Sequence, residues 1–256
     1  MIFLLGGNGF VGSGFARWCA ANGRELVVLT RTNYADYVGK RCSIFVNANG
    51  NSKKPLAAQQ PLFDFDASVR SVRASLVDFQ FDQYVHLSSC DVYPDCSSPA
   101  TTLEEQVLDP SQQSPYGFHK SLAEQCVRHG AKRHLICRLG GFVGPGLKKN
   151  AIFDIVWGEK LWLDPDSELQ FMHTDDCARI IMRLAESGAA TNRTLNVCGA
   201  GVVRLREVMA WAGRSPPVNP GSPKVRYEVA TAALARLTDV PPTPTVARRF
   251  VEQAVR

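Results

Sequence analysis

The opening residues, "MIFLLGGNGFVG", restrict this chain more than any other stretch. Ile2–Leu5 is apolar throughout and is cut off by glycine, so it reads as a short buried strand. Gly6, Gly9 and Gly12 follow at G-x-x-G-x-x-G spacing. An apolar-periodic stretch then runs to Asn22-Gly23, a helix stop. A strand that turns through glycine into a helix brings free backbone N–H groups and the positive end of the helix dipole to one point. Glycine also permits close backbone approach, so the turn suits a pyrophosphate, as in dinucleotide binding. A glycine turn without ligand is the plain alternative.

The alternation continues along the chain. Strands are expected at "ELVVLT" (25–30), "SIFVNA" (43–48), "QYVHLSS" (83–89), "HLICRLGG" (134–141) and "RTLNVCG" (193–199). Helices are expected at "DASVRSVRASLVDF" (66–79), from Pro115 to about "RHG", and at "DDCARIIMRLAESG" (175–188). Apolar strands alternating with amphipathic helices imply an α/β fold, a doubly wound parallel sheet covered on both faces. The Pro-rich stretch "GRSPPVNPGSP" reads as a surface wrap, and the tail ends in a short helix.

The 256 residues suffice for one domain with a full core, or a large domain carrying a small one. The formal charge of +5 is spread among acids rather than gathered in a run, so no nucleic-acid partner is expected. None of the eight cysteines has C-x-x-C spacing, so no metal or redox pair is expected; most sit in apolar stretches as small hydrophobes. The apolar start is too short for a signal peptide or a membrane span. A reduced, cytoplasmic setting with no membrane partner follows as the expectation.

The second strand ends in "VVLTRT". An acid there would hold a ribose 2′-hydroxyl; Thr30 and Arg31 stand instead, and Arg31 can pair with a 2′-phosphate. NADP is therefore expected over NAD. In "SPYGFHK", Tyr116 and Lys120 share one helix face. A phenol is a weak base at neutral pH, and a neighbouring ammonium favours its ionised form. Ser88 and Ser89 end a strand, where ligands bind in such sheets. Together these groups make a proton relay for forming or reducing a carbonyl beside a nicotinamide.

At these residues the chain resembles the extended branch of the short-chain dehydrogenase/reductase superfamily, the NAD-dependent epimerase/dehydratase family. "GGNGFVG" matches its cofactor loop, "FVNANG" the strand under the cofactor, "LSSCDVYP" its serine strand and "YGFHK" its Y-x-x-x-K signature. "RLGGFVGPG" looks like the segment passing the nicotinamide, and "FMHTDDCAR" and "LNVCG" the return to the cofactor domain. The resemblance implies that Tyr116 is the acid/base, that Lys120 tunes it and binds ribose, and that Ser89 holds the substrate oxygen. It implies cofactor contacts from Gly6, Gly9, Phe10, Val11 and Gly12, from Thr30 and Arg31, and from Asn47, Ala48 and Asn49. Tyr116, Lys120, Leu139, Gly140 and Phe142 complete that set. Substrate contacts are expected from Ser89, Cys90, Asp91, Gly141, Lys148, Lys149 and His173.

The chain also departs from the family pattern. Between the second and third strands only "TNYADYVGKRC" remains, so the usual strand-and-helix insert is missing and the sheet is expected to lose a strand. Gly141 and Leu169 stand where many sugar-nucleotide members carry an asparagine and an arginine. Lys148 and Lys149 are the substitute phosphate ligands, with a solvated loop as the alternative. A dehydratase-like acidic pair is reduced to Cys90 and Asp91, which disfavours a 4,6-dehydratase. Asp91 reads as a base, a substrate ligand or a turn cap. Asp64 with Asp66, and Asp175 with Asp176, read as helix starts and caps. His119 is expected on another face from Tyr116 and Lys120.

The expected organisation is a cofactor domain of residues 1–140 plus about 171–200. A small substrate domain takes about 141–170 plus 201–256. The expected function is NADP-dependent redox chemistry on a sugar, nucleotide-linked, as a 4-epimerase or a ketosugar reductase. Reduction of a non-nucleotide carbonyl compound and a non-catalytic NADP sensor are the alternatives. The resemblance implies a homodimer.

Overall fold

The computed structural model describes residues 1–255. In chain order the elements of the first half are β1 (Ile2–Leu5), α1 (Gly12–Ala21), β2 (Leu26–Leu29), α2 (Tyr34–Tyr37) and β3 (Arg41–Asn47). They continue with α3 (Lys54–Gln59), α4 (Pro61–Phe65), α5 (Ser71–Asp78) and β4 (Gln80–Ser89). A π-helical turn, Asp66–Arg70, joins α4 to α5. Then come α6 (Pro115–Gly130), β5 (His134–Leu139), β6 (Gly141–Val143), α7 (Ala151–Trp157), β7 (Glu168–Leu169), β8 (Phe171–His173), α8 (Thr174–Ser187) and β9 (Arg193–Val197). The chain closes with β10 (Val203–Arg204), α9 (Leu205–Ala212), β11 (Arg226–Tyr227), α10 (Ala232–Ala235) and α11 (Thr243–Ala254).

Six strands pair in parallel in the order β2-β1-β3-β4-β5-β9. From β1 the chain crosses through α1 to β2 on one side, then returns to β3 on the other. Strand order therefore reverses between β1 and β3, and a crevice opens beyond their C-terminal ends. The expected loss of a strand is seen: only the four-residue α2 lies between β2 and β3, and β2 is the sheet edge.

Alternation along each strand divides the core. Leu4, Val46, Val85, Leu87, Leu135, Cys137 and Leu195 face α1 and α8, where Phe15, Ile180 and Ile181 close over them. Phe3, Phe45, Tyr84 and Ile136 face α5 and α6, against Val72, Leu76, Ala123 and Val127. Each fully buried side chain of this size contributes about 1.5–3 kcal/mol of transfer free energy. Because the strands are buried on both faces, they read as continuous apolar runs.

A separate apolar cluster gathers Val143, Ile152, Ile155, Leu161, Phe171, Val203, Val208, Val246 and Val251 from α7, α9, α11 and their neighbours. A small sheet, β10-β7-β11, accompanies it. Phe10, in the glycine loop, packs against both this cluster and the core on the α1 and α8 face. Among the described residues, no helix is long and apolar enough to cross a membrane. No group of three or more His, Cys, Asp or Glu there could hold a metal ion.

Candidate functional site

The crevice between β1 and β3 is built from backbone. Gly6 takes φ +83°, and a Cβ there would stand 2.7 Å from the Ala48 carbonyl. A Cβ on Gly12 would overlap the Gly6 carbonyl oxygen. The loop folds on itself through Gly9 N to Gly6 O at 3.0 Å. Val11, the N-cap of α1, supplies no side-chain acceptor, and the first turn carries no acid. A concave backbone cradle at an uncapped, acid-free helix start fits a dinucleotide pyrophosphate.

At the end of β2, Thr30 is engaged within its own turn: Oγ1 lies 2.8 Å from Thr32 Oγ1 and donates to Asn33 Oδ1 at 3.1 Å. Arg31 is exposed, with no acidic partner among the described residues. Of the expected cofactor residues on β3, Asn47 is turned the other way. It is fully buried and donates to Tyr84 Oη at 2.8 Å, while its Oδ1 accepts Asn49 N at 3.0 Å. Its side chain therefore orders the turn, and only the Ala48 and Asn49 backbone meets the glycine loop. Leu139 and Gly140 end β5, where a Cβ on Gly140 would stand 2.7 Å from Cys198 Sγ. Phe142 is a core residue packed with Met172.

Helix α6 opens with Pro115 at its first turn and Ser114 as N-cap, whose Oγ accepts Gly117 N at 3.1 Å. Tyr116 and Lys120 point inward from this start, both buried. A Cβ on Gly117 would overlap the Asp91 carbonyl oxygen, so glycine lets α6 lie directly on the turn after β4. In that turn Ser89 Oγ donates to Asp91 Oδ2 at 2.7 Å and accepts Asp91 N at 3.2 Å. Lys54 Nζ pairs with Asp91 Oδ1 at 2.6 Å. Ser89 therefore caps this turn, and the Asp91 carboxylate lies between the serine hydroxyl and Lys54.

Burial pushes the Tyr116 phenol well above its ordinary value. The Asp91 and Asp64 carboxylates push it further, and a hydrogen bond with Ser89 opposes them. This reverses the sequence-based expectation that the lysine depresses the phenol. Lys120 Nζ lies 5.8 Å from the ring centroid, and burial lowers its own ammonium against the opposing pull of Asp64, Asp91 and Glu124. The carboxylates around the pair offset what one ammonium could do. A Cβ on Gly50 would stand 2.9 Å from Lys120 Nζ, which places the amine under the loop leaving β3.

Two buried polar groups were not singled out as functional from sequence. Asp64 lies in the first turn of α4, which begins at Pro61, and is fully buried with Oδ2 2.6 Å from His119 Nδ1. Glu124 forms an ion pair with Arg138 at 2.8 Å, accepts from Ser88 at 2.7 Å and from Arg128 at 3.0 Å. Arg138 also donates to Tyr93 Oη at 2.8 Å. The signal for Glu124 was the four-residue spacing of Tyr116, Lys120, Glu124 and Arg128, which places all four on one face. His86, on β4, is buried with neither ring nitrogen partnered, and burial followed by the Lys120 charge lowers it to about 3.

Other expected substrate residues are placed differently. Cys90 is fully buried, with Sγ 3.3 Å from Arg138 O and 3.7 Å from Cys198 Sγ, so its thiol packs the interior. A Cβ on Gly141 would stand 2.6 Å from Gln170 O; glycine serves the β6–β8 approach. His173 is the N-cap of α8, accepting Asp175 N at 3.2 Å on Nδ1, and burial lowers its pKa. Asp175 and Asp176 therefore follow the cap, in the first turn, and pair with Arg17 and with Arg179 and Arg249. Lys148 is exposed, and Lys149 Nζ donates to Ser52 O.

Sheet order, glycine cradle and a buried tyrosine beside a strand-end serine define a dinucleotide-binding α/β protein. The model of the NAD dependent epimerase/dehydratase family matches residues 2–198; the chain belongs to that family and is an NAD(P)-dependent enzyme. Among solved structures it is similar to MoeE5 in complex with UDP-glucuronic acid and NAD, at 19% identity and TM-score 0.81, covering 100% of this chain and 98% of that one. It is similar to a UDP-galactose 4-epimerase at 20% identity and TM-score 0.78, covering 99% and 97%. A dTDP-4-dehydrorhamnose reductase from Bacillus anthracis in complex with NADP is similar at 16% identity and TM-score 0.78, covering 98% of each chain. These likenesses establish the shared fold. No curated protein sequence matches the chain.

Proposed function

We propose that this enzyme is an NADP-dependent reductase of a keto sugar, nucleotide-linked, with Tyr116 as proton donor, Lys120 as its partner and Ser89 holding the carbonyl oxygen. The observation that carries this reading is the buried Tyr116 phenol, set beside Ser89 at the end of β4 and raised above its ordinary value. The bound nicotinamide would supply hydride to the carbonyl carbon. Tyr116 Oη gives its proton to the oxygen that gains charge, and Ser89 Oγ donates a hydrogen bond to the same atom. NADP use favours a reductase, because an epimerase regenerates its own cofactor and needs no reducing pool. Arg31, exposed at the end of β2, would take the 2′-phosphate.

A 4-epimerase is the second reading, since the same phenol can take and return a proton while hydride leaves and comes back. We assign residues 1–140 and about 171–200 to the cofactor domain, and the remainder to the substrate domain. The sugar-nucleotide ligands of similar structures support the substrate class. Gly141 and Leu169 leave room for a non-nucleotide carbonyl compound instead. The intact Ser89, Tyr116 and Lys120 weigh against a sensor that does no chemistry. Mass spectrometry of small molecules co-purified with the protein, followed by NADPH oxidation assays on the keto sugars found, tests the reading. A bound sugar nucleotide that is neither reduced nor epimerised would overturn it.

A further inference from the structure

Two loops distant in sequence meet near the Ser89 and Tyr116 site and bring lysines together. Lys53 and Lys54 end the loop after β3, and Lys149 lies just before α7. Lys149 Nζ donates to Ser52 O, which joins the loops. Burial, then the charges of Lys53 and Lys54, push the Lys149 ammonium below its ordinary value. Among the described residues, the one acid paired with any of the three is Asp91, at Lys54. Positive charge is left in excess.

Both loops are fixed from beneath. Fully buried Asp64 accepts Asn51 Nδ2 at 2.9 Å and is tied to His119 of α6. Asn51 then holds Lys53 twice, accepting its N–H at 2.8 Å and donating to its carbonyl at 2.9 Å. Asn150 fixes the second loop, donating to Phe142 O at 2.8 Å and accepting Phe153 N at 2.9 Å. Like charges held together on ordered backbone repel one another until an anion enters between them.

We propose that Lys53, Lys54 and Lys149 form an anion subsite beside the reacting centre, taking a phosphate or carboxylate group of the substrate. It rests on the reading of Ser89 and Tyr116 as that centre. Lys54 sets its reach, because one carboxylate, Asp91, separates its ammonium from the Ser89 hydroxyl. The subsite draws two of its three lysines from the loop after β3 and leaves out Lys148, which makes no comparable contact.

Calorimetric titration of the intact protein in saturating NADP tests this, with inorganic pyrophosphate and glucuronate as separate probes at low and moderate salt. At least one probe should bind. Lys53→Gln/Lys149→Gln should weaken it by about tenfold or more, as loss of charge-assisted contacts does, and flatten its salt dependence. Lys148→Gln should leave binding unchanged. Selective loss of pyrophosphate identifies a diphosphate as the natural group, and selective loss of glucuronate a carboxylate. Absence of binding by both probes, equal binding by the double variant, or an equal loss from Lys148→Gln would overturn the proposal. Tyr116→Phe should bind the probes like the wild type, so failed turnover with intact anion binding would count against the catalytic reading alone.

Discussion

Ser89 donates to Asp91 Oδ2 at 2.7 Å, so the hydroxyl proposed to hold the substrate oxygen is engaged by a carboxylate. A substrate carbonyl must take that hydroxyl over. Asp91 keeps its other oxygen on Lys54, so it need not be left unpaired when this happens. The same carboxylate raises the Tyr116 phenol. One residue thus engages the serine and adds to the effect of burial on the tyrosine.

Replacing Tyr116 by Phe should lower kcat by about 10²–10⁴-fold, the usual worth of a placed proton donor. NADPH should still bind, since the glycine loop and Arg31 are untouched. Lys120→Ala should impair turnover and cofactor affinity together. Steady-state kinetics and cofactor fluorescence titration separate the two outcomes; a near wild-type Tyr116→Phe enzyme would remove the catalytic assignment.

The pH dependence follows from the charges around the phenol. A negative neighbour disfavours phenolate, so Asp91→Asn should move the Tyr116 titration to lower pH. Ser89→Ala removes a hydrogen bond that favours phenolate and should move it to higher pH. Ultraviolet difference titration against Tyr116→Phe isolates this one tyrosine. Shifts of the opposite sign would show that Asp91 and Ser89 do not govern it.

Buried Glu124 ties α6 to β4 and β5 through Ser88 and Arg138. Burial raises its carboxyl, but the Arg138 hydrogen bond and charge, with Ser88 and Arg128, win and hold it below its ordinary value of 4.5. A depressed carboxyl stabilises the fold above its unfolded value, and that contribution is lost as pH falls through the folded one. Glu124→Gln leaves Arg138 buried without its counter-charge and should cost about 3–5 kcal/mol. Urea unfolding at neutral pH and on the acid side should show the loss at neutral pH and a flatter acid slope in the variant.

Cofactor choice should rest on Arg31. NADPH should bind at least about tenfold more tightly than NADH, consistent with one charge-assisted contact. Arg31→Ala should remove most of that difference while sparing NADH affinity. Fluorescence titration at fixed salt decides it; equal affinities in the wild type would refute the preference.

The order of strands and helices was legible because it depends on local pattern. Ile2–Leu5, Leu26–Leu29 and residues 135–137 are apolar in sequence since both faces of a parallel sheet are covered. The glycines, the Ser114–Pro115 helix start and the shared face of Tyr116 and Lys120 were legible too, for each is defined by spacing along the chain. The shortened link between β2 and β3 announced the missing strand in the same way.

Long-range pairing was not legible. Asp64 and His119 are 55 residues apart, and Lys149 and Ser52 are 97 apart. Nothing local distinguishes a buried first-turn aspartate from an exposed one, because the burial of Asp64 is decided by where α6 lies. The direction of the Tyr116 shift depended in the same way on tertiary structure. Sequence placed one ammonium a helical turn away, whereas the fold added burial and the Asp91 and Asp64 charges from other elements. Sequence by itself determined which groups share a strand end or a helix face. Only tertiary structure decided which charges meet in a low-dielectric interior, where burial and distance set their strength.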